Sequence, residues 1–194
     1  MRPASNPVVG DPVFHIRALE LTDADAWFEF APLPEVKEHS SSTVTGVDDL
    51  HTMIERSHST DPNSPVLFAI CSTTDESLLG TIGFHTVSAL NCTAEISYEF
   101  RPDCWGRGLA TACCEAVVAW GFSQAGYVRI QGTVLDSNAA SARVLRKCGF
   151  ELEGRLRSYR MVRGMSRDYW LYAHVVAPIT PLDQSHSSAT LRSP

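Results

Sequence analysis

One stretch constrains this chain more than any other. Residues 95–112, EISYEFRPDCWGRGLATA, run an apolar strand into a glycine-containing turn and directly into a helix. Gly106 and Gly108 lack Cβ atoms, so the turn can bring backbone N–H groups close to a ligand. A helix beginning near Gly108 aims its unpaired N–H groups and the positive end of its dipole at the same point. The layout predicts an anion cradle, with a phosphate as the expected occupant. A triphosphate-binding loop is excluded, because no Gly-Lys pair followed by Ser or Thr exists. A dinucleotide fingerprint fits poorly, since Thr111 stands at its third glycine position and the stretch lies mid-chain.

The run WGRGLA, Trp105 to Ala110, resembles the acyl-CoA-binding motif Q/R-x-x-G-x-G/A of the GNAT N-acetyltransferases, and Pro102 to Thr111 resembles its RimJ/RimL branch. A second segment, 136–150 (DSNAASARVLRKCGF), resembles that family's N-x-x-S-x-x-V-L-x-K-x-G-F pattern. A third, Glu153-Gly-Arg-Leu-Arg157 followed by Gly164, Asp168 and Tyr172, resembles the branch's closing pattern. Together they cover roughly His15 to Val175. The resemblance implies an α/β fold, a central, splayed mixed sheet flanked by helices, and transfer of acetyl from acetyl-CoA to a primary amine in a ternary complex. The branch implies a protein N-terminal α-amine. A small amine (polyamine, amino acid or drug) is the alternative, and a non-catalytic acyl-CoA-binding protein is a second.

Composition sets the outer limits. With 194 residues, 44% hydrophobic and 20% charged, the chain reads as one globular domain able to bury a core. Residues 1–12 read as a flexible lead-in, 13–176 as the domain and 177–194 as a flexible tail. No run of 18 apolar residues exists, and the N-terminus MRPASNP lacks a signal peptide's apolar core. No membrane segment and a cytoplasmic protein are expected. Six cysteines without a C-x-x-C pair suit a reducing compartment. The histidines show no ligand spacing, so no metal is expected. A net charge of −6 speaks against nucleic-acid binding. A homodimer is common among the relatives, and nothing in the sequence demonstrates one.

Period-two alternation predicts strands over 13–19, 65–71, 78–87, 93–100 and 127–134, with a closing hairpin over 151–156 and 169–175. Helices are expected after the cap Thr22 or Asp23, over Val47–Ser57, from Gly108, and after the cap Ser137 or Asn138. Residues 30–42, carrying Pro32 and Pro34, read as a loop, which by the resemblance shapes the acceptor pocket.

The chemistry asks for a held donor, a polarised carbonyl, a neutral amine and a proton for the leaving thiolate. Gly106, Arg107, Gly108, Leu109, Ala110 and Thr111 are expected to take the CoA pyrophosphate, with Trp105 stacking on the ligand or wedging the turn. By the resemblance, a backbone N–H near Tyr98 to Phe100, where the strand bulges, polarises the carbonyl. Glu95 is the leading base. Glu99, on the same face, competes with it, and Tyr98 points the other way. Leu145 stands where many family members keep a proton-donating tyrosine, so Ser141, one turn earlier, is the candidate acid, and Asn138 caps the helix and contacts CoA. Ala112, Arg146 and Arg163 depart from the branch pattern. The run Arg155, Arg157, Arg160, Arg163 and Arg167 reads as a solvated hairpin or a contact for an acidic acceptor.

Overall fold

A computed structural model describes residues 5–176; the expected 177–194 tail lies outside them. In chain order the elements are β1 (Phe14–Ala18), α1 (Ala24–Phe30), α2 (Pro34–Glu38), α3 (Val47–Ser57), β2 (Val66–Ser72), β3 (Leu78–Ser88), β4 (Thr93–Phe100), α4 (Leu109–Ser123), β5 (Arg129–Leu135), α5 (Ala139–Lys147), β6 (Glu151–Val162) and β7 (Met165–Val175). The strands form one seven-stranded sheet in the order β1-β2-β3-β4-β5-β7-β6. This is the expected mixed α/β sheet with flanking helices.

Alternation divides the core between the two faces. On one, Phe68, Ile70, Phe84, Ile96 and Ile130 pack beneath α4 and α5, against Cys113, Val117 and Leu145. On the other, Ala69, Cys71 and Leu78 meet Trp27, Leu50 and Ile54 of α1 and α3. Residues 5–12 adopt no helix or strand. They are nevertheless tied down: the Trp120 indole donates to the Ser5 carbonyl at 2.7 Å, and Val9 packs on the core.

One strand pair positions the site. Every neighbouring pair is antiparallel except β4 and β5, which α4 connects as a crossover. Their parallel pairing lasts only from Thr93↔Arg129 to Glu95↔Gln131. Beyond it β4 runs on to Phe100 and β5 to Leu135, leaving a cleft between their C-terminal halves.

Three expectations are corrected here. The register shift between β3 and β4 falls at His85 on β3, while residues 96–100 pair regularly with Gly80–Phe84, so β4 does not bulge over Tyr98–Phe100. The polar edge at that point comes from strand divergence instead. Residues 34–38, read as loop, form the short helix α2 with Pro34 at its first turn, a position that needs no N–H. The closing hairpin is longer than expected, because β6 continues past an irregularity between Leu156 and Arg160 where Ser158 has φ 50°. No helix among the described residues is long and apolar enough to cross a membrane.

Candidate active site

The cleft opens into a cavity of about 350 Å³ that reaches both faces of the sheet. At one end lies the glycine turn. Gly106 (φ 74°) and Gly108 (φ 85°) hold left-handed backbone, and a Cβ built on either meets no protein atom within 4 Å. The turn therefore needs glycine for its dihedrals and leaves open space beside it. Gly108 caps the 15-residue α4 without a side chain, and no acidic residue stands in the first turn. Thr111 and Ala112 donate to the Gly108 carbonyl at 3.0 and 3.1 Å, which leaves the N–H groups of Gly108, Leu109 and Ala110 for an outside acceptor, as a pyrophosphate cradle requires. Trp105 wedges the turn: its indole donates to the Phe100 carbonyl at 2.9 Å, while the ring borders the cavity. Phe100, Trp105, Gly106, Ala110, Asn138 and Ser141 line the cavity; Arg107 is exposed, and Gly108, Leu109 and Thr111 build the turn behind the lining.

Alternation along β4 sends Tyr98 and Glu99 to opposite faces of the sheet at the same depth of the cleft. Tyr98 points toward α5, where its phenol and the Ser141 hydroxyl lie 2.8 Å apart. Burial pushes the Tyr98 phenol well above its ordinary range, so it stays protonated. Asn138 rather than Ser137 caps α5, accepting from the Ser141 N–H at 2.9 Å and fixing that residue's position. Leu145, in the position of the absent tyrosine, is a buried core residue. Tyr98 was legible as facing away from the glutamates, but its partnership with Ser141 spans 43 residues of sequence.

Glu99 lines the other face of the cavity. Burial raises its carboxyl above the ordinary carboxylate range, opposed by the hydrogen bond from the Trp27 indole at 2.9 Å. Glu95 lies elsewhere. It is 6% exposed, does not line the cavity, and has its oxygens engaged by Thr133 at 2.7 Å, Gln131 at 3.2 Å and Arg160 at 3.3 Å. The His85 Nε2 stands 3.5 Å from the same carboxylate, and burial lowers the imidazole's pKa, which keeps it neutral at pH 7. Glu95 and Glu99 thus share a face as expected, but only Glu99 meets the open space.

A strap built on α2 covers this side. Val36, His39, Ser40 and Ser41 line the cavity. Arg163 donates to the carbonyls of Lys37 and Glu38, Asn138 to that of His39, and Arg160 to the Ser41 hydroxyl. The departure from the branch pattern at Arg163 therefore fastens the end of α2, where a cation meets the helix's negative pole. All six cysteines are free. Among the described residues one metal-ligand-like group, His15, Cys71 and Glu76, gathers away from the cavity lining with the Arg17 guanidinium beside it.

A glycine-turn cradle at a helix start, opening on splayed parallel strands, is the arrangement the sequence motifs anticipated. The model of the acetyltransferase (GNAT) domain matches residues 14–151. The chain belongs to the GNAT acetyltransferases. An uncharacterized N-acetyltransferase p20 of Bacillus licheniformis is 30% identical over 161 residues, 81% of this chain and 90% of that protein. YoaA of Bacillus subtilis, an uncharacterized N-acetyltransferase, is 43% identical over 98 residues, 50% of this chain and about half, 55%, of its own length. Among solved structures, RimL, a ribosomal L7/L12 α-N-protein acetyltransferase in complex with coenzyme A, superposes with a TM-score of 0.78 at 17% identity, covering 89% of this chain and 98% of that one. The spermidine N-acetyltransferase of Vibrio cholerae, in complex with CoA and spermine, gives 0.75 at 17%, covering 85% and 96%. As a GNAT N-acetyltransferase the chain is acetyl-CoA dependent. The open, uncapped cradle fits the pyrophosphate of that co-substrate.

Proposed function

We propose that this acetyltransferase acts on an α-amino group at a protein or peptide N-terminus, with Glu99 as general base and the Tyr98–Ser141 pair as proton source. Acetyl-CoA supplies an activated thioester; the protein's residues bind, orient and move protons. The first turn of α4 and the glycine turn hold the anionic end. Ser141, its hydroxyl 2.8 Å from the Tyr98 phenol, lies on the face of the cleft that carries the cradle, where a leaving thiolate must be protonated. Glu99 is on the opposite face, where an amine must enter to attack.

The observation that carries this reading is the Glu99 carboxyl: buried, raised in pKa and bordering the cavity. A base is most effective when its pKa approaches the working pH. An α-amine, with a pKa near 8, asks for one modest deprotonation, whereas a lysine near 10.4 asks for more. Glu95, held by three donors, acts in this reading as a positioning residue for Thr133 and Arg160. The likeness to RimL's fold supports the N-terminal acceptor; the likeness to the spermidine enzyme, together with the strap over the cavity, supports a small amine as the second reading.

Release of free CoA thiol, measured against short peptides with varied N-termini and a panel of small amines, tests the proposal. Turnover of peptides above polyamines supports it. Turnover of small amines alone replaces it with the second reading, and tight acetyl-CoA binding with no turnover of any acceptor favours the non-catalytic alternative.

A further inference from the structure

Five arginine–carboxylate ion pairs among the described residues are short: Arg17–Asp23, Arg101–Asp103 and Arg167–Asp136 at 2.7 Å, Arg129–Glu153 and Arg155–Asp168 at 2.6 Å. The sixth, Arg160–Glu95, is 3.3 Å, and it is made to a carboxylate that Thr133 already approaches at 2.7 Å. A guanidinium offers five donors in a planar fork, and Arg160 uses two of them at long range, on Glu95 and on Ser41 at 3.2 Å. Arg160 lines the cavity.

Two other observations converge there. Among the described residues, the buried side-chain atoms left without a hydrogen-bond partner are the Tyr169 hydroxyl and the His85 Nδ1. Both residues line the same cavity, Tyr169 is 3% exposed, and the Arg160 guanidinium sits over its ring, 5.6 Å from the centroid. Buried polar groups normally find partners. A loosely paired cation and an orphaned hydroxyl donor at one end of a binding cavity match an incoming group with negative charge and several lone pairs. His85, neutral, can offer an N–H from either nitrogen.

Resting on the acetyltransferase reading above, we propose that Arg160, with Tyr169, Ser41 and His85, forms a carboxylate subsite that selects acceptors carrying an acidic group beside the reacting amine. Of the rest of the basic run, Arg155 and Arg167 pair with aspartates and Arg163 holds the strap, while Arg157 is exposed and does not line the cavity. The carboxylate comes from an acidic second residue of a peptide or from a free α-amino acid; both present ammonium and carboxylate in one molecule.

The test compares kcat/KM for Ser-Asp and Ser-Asn peptides with amidated C-termini, and for serine against serinamide, in the intact protein and in Arg160→Gln and Tyr169→Phe. The first pair reads a side-chain carboxylate and the second a free α-carboxylate. A charge-assisted hydrogen bond corresponds to a preference of about tenfold or more for the acidic member of at least one pair. Arg160→Gln is expected to reduce that ratio to about twofold, Tyr169→Phe to reduce it less, and thermal unfolding shows whether each variant is folded. Equal rates within both pairs, or an acidic preference that survives Arg160→Gln in folded protein, overturn the subsite. If no acceptor turns over, the acetyltransfer reading fails separately. The subsite is then judged by binding of acetylated Ser-Asp and Ser-Asn peptides with CoA present, where equal affinity overturns it.

Discussion

The two ends of the cleft are made of different material. The cradle end is backbone: a left-handed glycine turn and the uncapped start of α4, all within residues 100–111. The acceptor end is side chain: Trp27 from α1, Ser41 from the strap, His85 from β3, Glu99 from β4, Thr133 from β5, Arg160 from β6 and Tyr169 from β7. In the proposed reading the first takes a phosphate, which every acyl-CoA donor carries, and backbone N–H groups suffice for it. The second must distinguish one amine from another, which only side chains brought from seven elements can do. A common donor can thus be held by a local motif, whereas the acceptor's identity depends on the assembled fold.

Substitutions at the two ends are expected to behave differently. Glu99→Gln keeps an oxygen for the Trp27 indole and removes the base, so kcat/KM is expected to fall by about 100-fold or more with every acceptor, while acetyl-CoA affinity stays close to that of the parent. A loss confined to acetyl-CoA binding would erase the division between the ends. Gly108→Val puts a β-branched residue at φ 85°, costing about 1–2 kcal/mol of backbone strain. It is expected to raise the KM for acetyl-CoA about tenfold, equally for all acceptors; an acceptor-dependent effect would contradict a pure donor cradle. Ser141→Ala is expected to lower kcat by about tenfold and Tyr98→Phe by less, with the two effects less than additive in the double variant because the hydroxyls act as a pair.

Much of the first region was legible in the sequence, because a glycine turn feeding a helix is specified by consecutive residues. The same locality put α3 at Val47–Ser57 and β4 at Thr93–Phe100. Where a contact spans the chain, alternation gave direction but not partner. Glu95 and Glu99 were placed on one face, yet nothing in residues 93–100 reveals that Thr133, Gln131 and Arg160 take up the Glu95 carboxylate. Arg160 stood within a run of arginines, and only the pairing of β6 with β7, shifted between Leu156 and Arg160, turns that one toward the cleft. The strap was read as loop because Pro32 and Pro34 punctuate it; Pro34 in fact opens α2.

A smaller effect concerns stability. The Glu99 carboxyl is raised in the folded protein by burial, so the folded state holds its proton more tightly than the unfolded one. Stability is therefore expected to fall as pH rises from the unfolded carboxylate's pKa through the folded value. Glu99→Gln should flatten that part of the curve of Tm against pH; an unchanged curve would place the raised carboxyl elsewhere.

The pH dependence of kcat/KM, measured with one turned-over acceptor for the parent, Glu99→Gln and Glu95→Gln, tests the central assignment most directly. The account predicts a rising acid limb in the parent that Glu95→Gln retains, whatever its rate, and that Glu99→Gln loses together with most of the activity. An acid limb that persists in Glu99→Gln and vanishes in Glu95→Gln would contradict it and return the base to Glu95.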